Sequence, residues 1–169
     1  MAVHALIHTT GVVFGKKYVP LELAYLDVTG YEIHFLLNSP YSYTEAIQQF
    51  PHASPDVLMT TCRGMALDNV LHFLRLRHQQ LQETFPDTPI VFGCKGNSLQ
   101  MDVLKQTNLP HLINVETLGV PSLKVLAQTF PHLVFPSCSW HVKFSKCARV
   151  AIRLIAAYVF QQNTILSVG

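Results

Sequence analysis

The sequence predicts an α/β protein built on a mixed sheet. Three strand-like segments stand at the start with short turns between them, as in an antiparallel meander. Helical and strand-like segments then alternate to the end of the chain. A third observation is composition: hydrophobic residues make up 49% and charged residues 13%, about half the usual charged share of ~25%. Such a chain of 169 residues is long enough for one well-packed domain, taken here as residues 1–169.

The elements follow in order. Residues 5–10 (Ala-Leu-Ile-His-Thr-Thr) read as a first strand, with residues 11–17 as a turn. Residues 18–28, rich in Tyr, Leu and Val, read as a second strand. The pair Thr29-Gly30 is a hairpin signal before a third strand over 31–37. Residues 38–55 carry Pro40, Pro51 and Pro55 and read as loop with a short helix at 44–50. In residues 66–85, Leu67, Val70, Leu71, Leu74, Leu81 and Phe85 recur near helical spacing. The apolar run 89–94 suits a buried parallel strand. Residues 98–105 read as a helix with Ser98 as its N-cap, 112–115 as a fifth strand, 122–130 as a helix after Pro121, and 146–162 as a last, strongly apolar helix. This order is that of an RNase H-like fold of the DnaQ type.

Bulk properties exclude several classes. No apolar run reaches the ~18 residues of a membrane span, and the N-terminus lacks the pattern of a signal peptide. An intracellular site, cytoplasmic or nuclear, is expected, where Cys62, Cys94, Cys138 and Cys147 are thiols or ligands rather than a disulfide frame. A net charge of +2 does not by itself announce a nucleic-acid protein. Cys62 and Cys94 read as core thiols. The histidines at 4, 8, 34, 52, 72, 78, 111 and 132 read as surface or satisfied polar groups.

The chemistry concentrates in the segment 138–147. Cys138 and His141 stand in Cys-x2-His spacing, and Cys147 follows six residues later. Three soft ligands in so short a span form a zinc pattern, and a tetrahedral site needs a fourth ligand from elsewhere in the chain. The catalytic carboxylates of DnaQ-like exonucleases are missing. The first strand reads Leu6-Ile7-His8-Thr9, no Asp follows the fourth strand at the expected place, and the last helix opens on Cys147-Ala148. A two-metal exonuclease site is therefore not expected, since such a site needs several oxygen ligands.

With Cys138, His141 and Cys147 in that spacing, Glu22 in the second strand (Tyr18-Val19-Pro20-Leu21-Glu22) and Gly119-Val120-Pro121-Ser122-Leu123 before a helix, residues 3–160 resemble the Maelstrom domain of the piRNA pathway. The resemblance implies a DnaQ-like RNase H fold with a structural Zn2+ held by Glu22, Cys138, His141 and Cys147. It implies a role in small-RNA silencing through RNA or small-RNA-pathway proteins. The HMG box usual in that family is not seen, which points to a relative or an excised domain. Three functions stay open: a zinc-stabilised, catalytically degenerate module that binds RNA or a partner protein, a single-strand-specific endoribonuclease that works without the two-metal carboxylates, and a protein-interaction scaffold favoured by the low charge. If RNA is contacted, Lys95, Lys143, Lys146, Arg149 and Arg153 are the expected basic surface. Arg149 and Arg153 are four apart and share a helix face.

Overall fold

The computed structural model describes residues 2–14, 16–38, 44, 48, 64–134 and 147–168. The described elements are β1 (Ala5–Phe14), β2 (Lys17–Asp27), β3 (Glu32–Leu36), α1 (Leu67–Thr84), β4 (Phe92–Cys94), α2 (Leu99–Lys105), β5 (Leu112–Asn114), α3 (Leu123–Thr129) and α4 (Ala148–Val168). They form a mixed α/β structure around a five-stranded sheet in the order β3-β2-β1-β4-β5. β2 runs antiparallel to both β1 and β3, while β4 and β5 run parallel to β1.

Alternation along the strands divides the core in two. Ala5, Ile7, Leu23 and Tyr25 pack with Val70, Leu71, Leu74 and Leu81 of α1 and with Met101, Val103 and Leu104 of α2. Leu6 and Ala24, on the opposite face, pack with Leu126 of α3 and with Val150, Ile152, Leu154, Ile155 and Val159 of α4. The sheet is thus the middle layer of three, buried on both sides, which is why β4 carries no polar alternation.

The first hairpin departs from expectation. Residues 11–17 are not its turn: β1 continues to Phe14 and β2 begins at Lys17. Val12, Val13 and Phe14 are good strand formers and carry the ladder past Gly11. Gly11 marks a register shift instead, between Thr10 paired with Glu22 and Gly11 paired with Pro20. A Cβ at Gly11 would collide with the carbonyl of Val19, so the bulge needs glycine there. β1 also outlasts β4, whose pairing ends at Ile7 with Cys94. Beyond that point the Gln100 side chain takes over as a strand would, accepting from Thr9 N at 2.8 Å and donating to Thr9 O at 2.8 Å.

The second hairpin turns at Thr29-Gly30 as expected, with Gly30 at φ 86° and its N–H donated to Asp27 O at 3.0 Å. Asp27, buried at its start, anchors it. Its carboxylate accepts from Tyr25 Oη (2.6 Å), Thr29 N (2.9 Å) and Arg77 Nε of α1 (2.8 Å). The Arg77 guanidinium lies 4.6 Å from the centroid of the Tyr31 ring. Burial alone would raise the pKa of Asp27; the hydrogen bonds from Thr29, Tyr25 and Arg77 outweigh it and hold the carboxyl below its ordinary value.

Elsewhere boundaries shift modestly. Ser98 precedes α2 without a side-chain cap bond, because its backbone is helical (φ −95°, ψ −70°), whereas an N-cap needs extended backbone. Ser122 does cap α3, accepting from Val125 N at 3.3 Å. The last helix runs to Val168 rather than 162. The helix expected at 44–50 lies largely outside the described residues. No helix among the described residues is long and apolar enough to cross a membrane.

Candidate metal centre

β2 alternates so that Leu21 and Leu23 flank Glu22. Glu22 therefore shares a face with Ala24, the face covered by α4. It pairs with Thr10 on one side and Leu36 on the other. Only 2% of it is exposed, and a buried carboxylate needs partners that replace its water. Oε1 accepts from Ala148 N at 2.5 Å. Oε2 lies 3.3 Å from His34 Nε2.

Ala148 is the first residue of α4, and Cys147 stands in the cap position, its carbonyl accepting from Ala151 N at 3.1 Å. The first N–H groups of a helix have no partner within it and carry partial positive charge. Glu22 supplies the missing acceptor across 126 residues of chain. Cys147 itself is a fully buried cysteine. The fold thus brings two of the four expected zinc ligands, Glu22 and Cys147, to adjoining positions. Cys138 and His141 lie outside the described residues. Among the described residues no three His, Cys, Asp or Glu side chains converge on one point, so a closed site depends on that second pair.

His8 and His34 were expected as surface or satisfied groups; His34 does have a partner in Glu22, while the structure corrects the expectation for His8. They pair with Ala24 from its two sides, so they share the Glu22 face. His8 is buried, and Nδ1 finds no hydrogen-bond partner among the described residues. Burial pushes its pKa from 6.5 to about 4; the Glu22 charge opposes this and Lys95 adds to it. His8 is therefore a neutral imidazole at neutral pH, the form that also ligates metals. His4 is another buried histidine, but a satisfied one: Nδ1 accepts from Val91 N at 3.1 Å. The signal for His8 and His34 was register. Once Thr29-Gly30 sets the hairpin, His34 falls opposite Ala24. Reaching His8 requires β1 to be aligned through the bulge at Gly11.

The donor types present suit zinc. A buried carboxylate and a buried thiol beside a helix start match the mixed oxygen, nitrogen and sulfur set the ion accepts, and the orphaned His8 nitrogen shows that this face carries more polar capacity than the described residues satisfy.

The described members of the basic set are engaged with acidic groups. Arg153 Nε donates to Glu32 Oε1 at 2.9 Å, and Arg149 Nε lies 3.9 Å from the same oxygen. Lys95 Nζ lies 3.5 Å from Glu116 Oε2. Lys143 and Lys146 lie outside the described residues. The loop at Lys95 is tied by Asn114, whose Oδ1 accepts from Gly96 N and Glu116 N, both at 3.1 Å. Cys94, at the end of β4, is the buried thiol expected of it, pushed up to about 12 by burial and then by Glu116. Cys62 lies outside the described residues.

In comparisons with known proteins, no family model and no curated protein matches the chain.

Proposed function

We propose that the chain is a zinc-stabilised RNase H-like domain of the Maelstrom type. In this reading it lacks the two-metal carboxylates and acts in small-RNA silencing by binding RNA or partner proteins. The observation that carries the reading is the contact of Glu22, buried in β2, with the backbone that opens α4 beside Cys147. The resemblance requires a carboxylate from the second strand to meet a cysteine at the head of the last helix, and the contact supports that requirement. The three-strand meander followed by alternating helices and strands supports the fold part of the reading. Glu22, Cys138, His141 and Cys147 would hold the ion. Four protein ligands leave no open position, so the metal would brace the fold rather than activate water.

RNA binding in this reading draws on Lys143 and Lys146 beside the zinc segment, with Lys95, Arg149 and Arg153 as neighbours. Phosphates must compete with Glu32 and Glu116 for the last three, so affinity is expected to be weak and to fall steeply with salt. Two measurements test the proposal. Metal analysis of the purified chain is expected to give one zinc per chain; no zinc in a folded preparation removes the reading. Titration of single-stranded RNA at two salt concentrations, against wild type and Lys143→Glu/Lys146→Glu, is expected to show salt-sensitive binding lost in the variant. No binding at low salt leaves a protein-binding scaffold.

A further inference from the structure

The hairpin of β1 and β2 outruns the sheet. β4 leaves β1 at Ile7, and the Gln100 side chain holds the strand only as far as Thr9. On the other side β3 leaves β2 at Glu22, with one more bond from Leu37 N to Leu21 O. Beyond these points Gly11–Phe14 and Lys17–Pro20 pair with each other, and no other strand among the described residues accompanies them. From Thr9 to the end of β1 the ribbon extends about 17 Å at the usual strand rise. It is cationic. Residues 1–21 contain no Asp or Glu, and the first carboxylate, Glu22, is buried. Lys16 and Lys17, at the tip, are exposed and make no ion pair among the described residues. They differ in this from Lys95, Arg149 and Arg153. Lys95 follows the last residue of β4, which runs parallel to β1, so its loop and the ribbon stand at the same end of the sheet.

From this placement we propose that the overhanging end of the β1–β2 hairpin is a contact surface for the phosphate backbone of single-stranded RNA, with Lys16 and Lys17 as the contacting groups. The inference rests on the RNA reading above and adds to it two residues outside the expected basic set. A lysine without a carboxylate partner meets a phosphate directly, whereas Lys95, Arg149 and Arg153 must first give up Glu116 or Glu32. Backbone contact needs only such charge. An acidic peptide would also need a groove or an open strand edge to give it a fixed pose. Tyr18 is no stacking platform, since its hydroxyl meets Thr9 Oγ1 at 2.9 Å and its ring packs against the core. The contact therefore carries no base preference and depends on salt.

The test uses the full chain and a labelled, unstructured single-stranded RNA, with affinity measured across a series of salt concentrations. Each phosphate contact on a single strand adds about 0.7 to the slope of log affinity against log salt. Lys16→Ala/Lys17→Ala is expected to lower that slope by about 1.4 and to weaken binding at low salt. Lys105→Glu removes the same net charge from the exposed end of α2, where the chain turns into β5 at the opposite end of the sheet. It is expected to leave the slope unchanged. Circular dichroism checks that each variant is folded. A Lys16→Ala/Lys17→Ala chain with the wild-type slope, while Lys143→Glu/Lys146→Glu loses binding, overturns the inference and leaves the RNA reading standing. Equal losses in Lys16→Ala/Lys17→Ala and Lys105→Glu show an effect of net charge alone and overturn it as well. So does a Lys16→Ala/Lys17→Ala chain that self-associates but binds RNA as before, because the lysines then only guard the strand edges. Poly-glutamate that displaces the RNA at equal charge assigns the surface to acidic proteins instead. Wild type that binds no RNA at low salt removes both the inference and the RNA reading.

Discussion

His8 shows how one side chain couples this fold to pH. Its pKa falls from 6.5 to about 4 on burial, so the unfolded chain takes up a proton well before the folded one does. Between these values the unfolded state binds more protons, and stability must rise with pH across that window. The contribution is whole above 6.5, declines as pH falls towards 4, and amounts to roughly 3 kcal/mol over the range. His8→Leu, which removes the titrating ring and its unpartnered Nδ1, is expected to flatten this slope without lowering stability at pH 7. Urea unfolding of both chains from pH 4.5 to 7.5 checks it, and parallel slopes would contradict the assignment. Asp27 acts in a lower window. Its pKa is held down in the fold, so its contribution is present above the unfolded value of 3.8 and is lost as pH falls through the folded one. Asp27→Asn removes the charge paired with Arg77 and turns an NH2 group towards either Arg77 and Tyr25 or Thr29, and is expected to cost about 3 kcal/mol at neutral pH, read as a drop in the urea midpoint.

At the scale of elements, the hairpin β1–β2 and the helix α4 carry the clearest lesson about what residues reveal before coordinates. Composition and the Thr29-Gly30 turn located β2 and β3, and helical apolar spacing located α1, within a residue or two. Gly11 misled because a glycine between strand formers signals a turn and a bulge alike. Only Val19 O, which occupies the space a Cβ at this position would need, distinguishes them. The consequence is testable. Gly11→Val must either straighten the bulge, shifting Glu22 out of line with Thr10, or push β1 away from Val19. The cost is expected to exceed the ~1 kcal/mol that glycine's intrinsic strand penalty would return. A Gly11→Val chain with an unchanged melting temperature would refute the close approach. In α4, Ile155 is fully buried against the sheet, and Ile155→Ala is expected to cost about 2–5 kcal/mol, measured by the same unfolding.

For the molecule as a whole, the candidate centre joins what the chain keeps farthest apart. Glu22 in the meander and Cys147 at the start of the last helix are linked through a contact spanning 126 residues. Sequence spacing alone could propose Cys138, His141 and Cys147 as a local set. It gave no access to His34 or His8, because those depend on strand register and on which face α4 covers. Nor did it give access to Glu32 and Glu116, which sit far in sequence from the cations they engage. If zinc closes the centre, the metal ties the sheet to the layer of α4, and its binding free energy becomes folding free energy. Removing it is then expected to lower stability throughout, not to loosen one segment. Chelation, or Cys147→Ser, should reduce the melting temperature sharply and abolish protection from amide exchange in β2 and α4 together. Glu22→Gln separates the two roles of the carboxylate. The amide oxygen still accepts from Ala148 N, so a loss of helix capping alone predicts a small effect, about 1 kcal/mol or less. A fall in stability as large as that of Cys147→Ser, present in zinc and absent in chelator, would mark Glu22 as a ligand; equal, small losses under both conditions would reduce it to a helix cap.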